Sequence, residues 1–80
     1  MEINVYGFDA DIKISEKWFV GEIAELHIVE QAKTLRVLED RLKGGIEDVV
    51  DAIKKNPAKY RKYLSASTFN KLNLHHSAYA

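Results

Sequence analysis

Between Asp11 and Ile23, apolar and polar residues alternate with a period of two. Ile12 and Ile14 flank Lys13, and Phe19, Gly21 and Ile23 interleave with Val20 and Glu22. In an extended chain this spacing sends alternate side chains to opposite faces, which predicts two strands joined by a tight turn at Ser15-Glu16-Lys17. After an Ala24-Glu25-Leu26-His27 connection, Ile28-Val29-Glu30-Gln31 reads as a third strand. Ile3 and Val5 either extend the first strand backwards or form a short strand of their own, with a bend expected around Gly7 and Asp9.

Past Thr34 the period changes. Leu35, Leu38, Leu42, Ile46, Val49 and Ile53 recur at steps of three and four and draw one apolar stripe along a helix. Thr34 is placed to cap it by accepting a first-turn N–H, and Glu39 with Lys43 and Asp51 with Lys55 are i,i+4 pairs in the favourable order. Gly44-Gly45 interrupts the middle at a cost of about 1 kcal/mol per glycine against alanine. The stripe keeps its phase across the glycines, so one bent helix is expected rather than two. Asn56-Pro57 stops it and starts a second, short helix from Pro57 to about Leu64. Ser65-Ala66-Ser67 then offers another cap, with Ser67 before Thr68-Phe69-Asn70-Lys71-Leu72, and Leu74 to Ala80 reads as a frayed end.

Strands with one apolar face need a cover, and the striped helix supplies it. The expected fold is α+β: a small antiparallel three-stranded sheet, a long helix packed across one face, and a short C-terminal helix. Residues 1–55 would form the body and 56–80 a basic helical tail. Phe19, Ile23, Leu35, Leu38, Leu42, Ile46 and Val49 are the expected core, while Val20 points to the opposite face of the sheet.

Composition narrows the class. Eighty residues, 46% hydrophobic and 30% charged, suit one globular domain near the lower size limit of self-sufficient stability, where association often makes up the deficit. A homodimer is therefore expected, with Val20 on an otherwise open sheet face as the residue that asks for a cover. Cysteine is absent, which removes disulfides, thiolate zinc sites and cysteine nucleophiles. No run of about 20 apolar residues exists to span a bilayer, and the Met1-Glu2-Ile3-Asn4 start lacks the pattern of a signal peptide, so the expected location is the cytoplasm, away from membranes. The formal net charge of zero conceals a division. Residues 1–53 hold all 12 acids and six of the 12 basic residues, for −6, and residues 54–80 hold the other six basic residues and no acid, for +6. Such an asymmetry points to surfaces for partners of opposite sign, or to a tail docked on its own body.

The stretch Lys17-Trp18-Phe19-Val20-Gly21-Glu22-Ile23-Ala24-Glu25-Leu26, followed by Gln31-Ala32-Lys33-Thr34-Leu35 and the striped helix, resembles the HicB-like antitoxin domain. That family typically runs aromatic, Val, small, any residue, Val, Pro, Glu, Leu in its second strand, then a third strand and a Gln-Gly-Lys/Asp-Thr-Leu entry to an amphipathic helix. The likeness covers residues 11–54. Ala24 stands where the family usually has Pro, Ala32 where it has Gly, and His27 where it has Gly or Pro. The resemblance implies a sheet with a helix across one face, related to part of the ribonuclease H fold. It gives Gly21 a purpose, because a residue without a side chain lets a helix approach the sheet closely. It also implies an antitoxin that masks a small basic HicA-type ribonuclease toxin, and many such proteins carry a C-terminal DNA-binding segment. The residues after Lys54 are few for a helix-turn-helix or ribbon-helix-helix unit, and neither pattern is visible.

Each functional reading has a plainer alternative. Glu39, Asp40, Glu47 and Asp48 on the helix would meet a basic partner, as acidic surfaces do. Lys59, Arg61 and Lys62, with Lys54, Lys55, Tyr60 and Tyr63, would contact phosphates and stack on bases, or simply form a solvated face with Tyr60 and Leu64 seating the helix. Trp18 either caps the core or stands as an exposed interface anchor. Asp9, Asp11, Glu22 and Glu25 invite a metal-nuclease reading, which the alternation opposes because Glu22 points away from Phe19 and Ile23. His27, His75 and His76 lack metal-site spacing and read as surface residues. The expectation is a binding protein without catalysis, metal or cofactor.

Overall fold

The alternation near the N-terminus resolves into four strands rather than three. β1 (Glu2–Val5), β2 (Phe8–Ser15), β3 (Trp18–Ile23) and β4 (Ile28–Ala32) form one antiparallel sheet in the order β1-β2-β3-β4. This is seen in a computed structural model that describes residues 1–72; the end expected to fray, Leu74 to Ala80, lies outside the described residues. The extra strand comes from the two-residue turn Tyr6-Gly7, where φ is 52° and 87° and Val5 pairs with Phe8. Positive φ at both central residues is the pattern of a type I′ hairpin, whose twist matches its strands. Gly7 suits it; Tyr6 does not, since Asn or Asp normally stands there. The Asn4 Oδ1 accepts the Gly7 N–H at 3.0 Å and helps hold the reversal. Asp9, expected near a bend, instead pairs with Asn4 inside β2.

The second hairpin turns at Glu16-Lys17, with Ser15 opposite Trp18 and Glu16 at φ 54°. A single 3₁₀ turn, Ala24–Leu26, then leads through His27 in the left-handed region to β4. The register places Ile12 beside Gly21, Ile23 beside Ile28 and Phe19 beside Ala32, so these positions share one face.

Helix α1 runs unbroken from Leu35 to Lys55, across both glycines. Thr34 caps it as expected: its Oγ1 accepts the Val37 N–H at 3.2 Å and its carbonyl the Leu38 N–H at 3.0 Å. Glu39 and Lys43 form their ion pair at 3.5 Å. Two compact units are distinguished, Met1–Ile46 and the chain from Glu47 onwards, the division falling inside α1.

In the first unit α1 covers the face that carries Gly21. A Cβ built on Gly21 would lie 3.1 Å from Leu42 Cδ1 and Ile12 Cδ1 and 3.2 Å from Leu38 Cδ2. Gly45 meets β4 in the same way, 3.1 Å from Ile28 Cγ2. Val5, Phe8, Ala10, Ile12, Ile23, Leu26, Ile28, Ala32, Leu38, Leu42 and Ile46 are buried. Three expected core residues are not: Phe19 and Val49 are half-buried, and Leu35 is 37% exposed. Phe19 pairs with Ile14 at the end of the sheet, where Ile14 is 73% exposed, and Leu35 is the first residue of the helix; the core is centred further along, at Gly21. The side chain of Arg41 donates to the main-chain oxygen of Gln31, tying the helix to β4.

The second unit continues past α1 with α2 (Pro57–Tyr60) and α3 (Ala66–Lys71). Asn56 caps α2 and Pro57 opens it, but the α-helical span is shorter than the expected Pro57 to Leu64. Ser65, not Ser67, caps α3: its Oγ accepts the Thr68 N–H at 3.1 Å and lies 3.0 Å from Thr68 Oγ1. The earlier cap gives the buried Thr68 hydroxyl a partner, which a cap at Ser67 would not. Ile53, Leu64, Thr68 and Phe69 are buried. Asp51 and Lys55, expected to pair, make no ion pair within 4 Å.

Two substitutions test this packing by urea unfolding. Leu42→Ala is expected to cost about 2–5 kcal/mol, as loss of a buried leucine side chain does. Gly44 has nothing within 4 Å of a built Cβ. Gly44→Ala is therefore expected to stabilise by roughly 0.5–1 kcal/mol, a gain that Gly45→Ala, aimed at Ile28, does not share.

Candidate functional site

The candidate surfaces are faces of elements. The first is the side of the sheet turned away from α1. Because Gly21 faces the helix, its neighbours Val20 and Glu22 face outward, and the register carries the same face across all four strands. Glu2, Asp11 and Glu22 are consecutive partners on β1, β2 and β3, so three carboxylates stand in one cross-strand row, which continues on β4 with Val29. The next row holds Lys13, Val20 and Gln31, and the one beyond it Ser15 and Trp18. Val20 and Trp18 are half-buried, and Val29 is 61% exposed. The Lys33 Nζ lies 5.5 Å from the centroid of the Trp18 ring, a cation–π distance. Trp18 thus belongs to the open face rather than to the helix-covered core.

Like charges directly opposite on neighbouring strands repel. Among the described residues, no cation lies within 4 Å of the carboxylates of Glu2, Asp11 or Glu22. The row therefore opposes the pairing it sits on. Val29 and the row itself escape a reading of strands taken singly: each residue is ordinary in its own strand, and only the register brings them side by side.

The helix candidates fall in both units. Asp40 is exposed and Glu39 half-buried in its pair with Lys43, both in the first unit; Glu47 and Asp48 are exposed in the second. Lys59, Arg61 and Lys62 are exposed, as are Lys54 and Lys55, and Tyr63 among them is 66% exposed. Lys59 Nζ sits 5.7 Å from the ring centroid of the half-buried Tyr60. Asp9, Asp11, Glu22 and Glu25 do not converge: Asp11 faces Glu22 across the ladder, Asp9 lies one row on, and Glu25 is in the 3₁₀ turn. Among the described residues no group of three or more His, Asp or Glu is arranged to hold a metal ion. No described helix is long and apolar enough to cross a membrane. His27 is exposed; His75 and His76 lie outside the described residues.

The chain matches no protein-family model, no curated protein and no solved structure. The HicB-like resemblance thus rests on the quoted residues alone. Those fall in order on the elements described, Phe19 to Ile23 on β3, Glu25 and Leu26 in the 3₁₀ turn, Gln31 at the end of β4, and Thr34 and Leu35 at the cap and first residue of α1.

Asp11→Asn, at the centre of the carboxylate row, is expected to raise stability by roughly 0.2–1 kcal/mol at low salt, and the gain should shrink as salt screens the repulsion. Unfolding curves at low and high ionic strength check both parts.

Proposed function

We propose that the protein is an antitoxin-like binding module: it masks a small basic ribonuclease toxin of the HicA type, acts in the cytoplasm as a homodimer, and has no catalysis of its own. The observation that carries this reading is the state of the acids. Every one precedes Lys54, ten of the 12 are exposed, and among the described residues Asp40, Glu47, Asp48 and Asp51 on α1 have no ion pair within 4 Å. Exposed, unpaired carboxylates on a regular helix steer a basic protein and pair with it at little desolvation cost. The order of family-like residues along β3, β4 and the start of α1 supports the same reading.

A second reading has its own observation. Exposed Lys59, Arg61 and Lys62 accompany the largely exposed ring of Tyr63, a combination suited to phosphate contact and base stacking. In that case the protein is a nucleic-acid-binding accessory; a third reading, separate from this observation, is a HicB-like chain with no toxin.

One pair of titrations separates them. Under the antitoxin reading a small basic ribonuclease binds and loses activity, and neutralising Glu39, Asp40, Glu47 and Asp48 together slows association and weakens its salt dependence. Under the alternative, nonspecific DNA or RNA binds at low salt, with log affinity falling against log salt at a slope of about 0.7–0.9 per phosphate neutralised. Replacing Lys59, Arg61 and Lys62 then lowers that slope. Nucleic-acid binding abolished by the triple replacement, with no uptake of a basic ribonuclease, overturns the antitoxin reading.

A further inference from the structure

The open face of the sheet is divided by charge along the direction of its strands. At one end stand Glu2, Asp11 and Glu22 in their cross-strand row, with Asp9 one row further out. Towards the other end Lys13 lies beside Val20, and Lys33 sits over the ring of Trp18. Apolar side chains are distributed along it: Val29 in the acidic row, half-buried Val20 in the Lys13 row and half-buried Trp18 in the row beyond. A face acidic towards one end and basic towards the other can set its acidic end against the basic end of a copy turned end for end.

The geometry points to this face as the contact between two copies of the chain, related by a two-fold axis that lies between the stacked sheets and runs across the strands. The inference rests on the self-association included in the proposed function, and adds to it the symmetry and the charge pairing. Two sheets stacked face to face with their strands aligned admit two in-plane two-fold axes. An axis along the strands lays one acidic row over the other, where like charges repel. An axis across the strands lays each acidic end over the partner's lysine end, and an isologous contact makes that pairing twice.

β2 shows the pairing most directly. Asp11 and Lys13 are two residues apart on one face, about 7 Å along the strand. An axis crossing β2 midway between them sets each Asp11 against the partner's Lys13. Stacked sheets lie about 10 Å apart, a gap that Trp18 and Val29 are large and exposed enough to help fill. Asp11, at the centre of the carboxylate row, then meets a cation supplied by the other sheet. A face only four strands wide is at the small end of specific interfaces, so dissociation is expected at micromolar rather than nanomolar concentration.

Sedimentation velocity of the full chain across the micromolar range tests this, together with emission from Trp18, the only tryptophan. A dimer is expected, with Trp18 emission moving to shorter wavelength as concentration rises. Asp11→Lys and Lys13→Glu are each expected to weaken the dimer about tenfold or more, about 1.4 kcal/mol per tenfold. The two combined in one chain should restore it, because the reversed pattern is again self-complementary. Val20→Lys, with circular dichroism confirming the fold, should abolish it; should that variant not fold, the charge exchange still decides.

Three results overturn the inference in different ways. A chain monomeric at about 100 µM removes the self-association reading as well, and uptake of a basic protein by that monomer with a Trp18 shift assigns the face to another occupant. A dimer indifferent to Val20→Lys, with unchanging Trp18 emission, leaves self-association standing but moves it to another surface. A dimer tightened by Asp11→Lys leaves the face and rejects the axis.

Discussion

Leu38 and Leu42 reach the middle of the sheet only because β3 presents no side chain there. The helix comes so close at Gly21 that even a methyl group would press on three side chains at once. Gly45 repeats the arrangement from the other side, with a helix glycine lying against Ile28 of β4. The rest of the first unit follows from these two approaches. They set which face of the sheet is inside, hence that Val20, Glu22 and Val29 are outside, and they centre the core on Gly21 rather than on the hairpin end where Ile14 and Phe19 lie. Volume added at Gly21 would lift the helix rather than merely fill a void, since cores at native density have no slack to absorb it.

Much of this layout is legible in the residues alone. The helix from Leu35 is plain because six apolar residues keep one phase over five turns, and Thr34, Asn56 and Pro57 mark its ends with side-chain chemistry that acts within one turn. The β2–β3 hairpin is plain for the same local reason. β1 is legible only as one of two alternatives, a short strand of its own or an extension of the next, because its turn is built from Tyr6 in a left-handed conformation, where sequence reasoning looks for Asn or Asp. Phe19 and Leu35 were expected inside on period alone, and period says which face a residue is on, not how far along that face the cover extends. The cap at Ser65 rather than Ser67 depends on a tertiary fact, the burial of Thr68. The open-face row of Glu2, Asp11 and Glu22 was beyond reach for a different reason: cross-strand neighbours are defined by register, and register here requires β1.

The two units differ in what their surfaces ask for. On the open sheet face, charges of one sign are held together against their mutual repulsion by a backbone ladder that has no need of them. A fold indifferent to those side chains tolerates them only at a cost in stability, and such costs collect where a molecule meets others. The exposed lysines and arginine of α2 and the turn after it ask for less, since each is spread on a long, solvated stem and none opposes the fold. The acidic face is on this ground the stronger claim to function, and the basic segment the weaker.

Arg41 occupies an unassuming place, its guanidinium on a main-chain oxygen of β4. Yet β4 is the last strand of the sheet, and an outermost strand offers its free backbone groups to any extended chain that drifts by. The guanidinium fills one of those sites with a donor that belongs to the molecule's own helix. A strand edge left open can add strand to strand without end. Arg41 thus takes one acceptor away from an edge on which another chain could add.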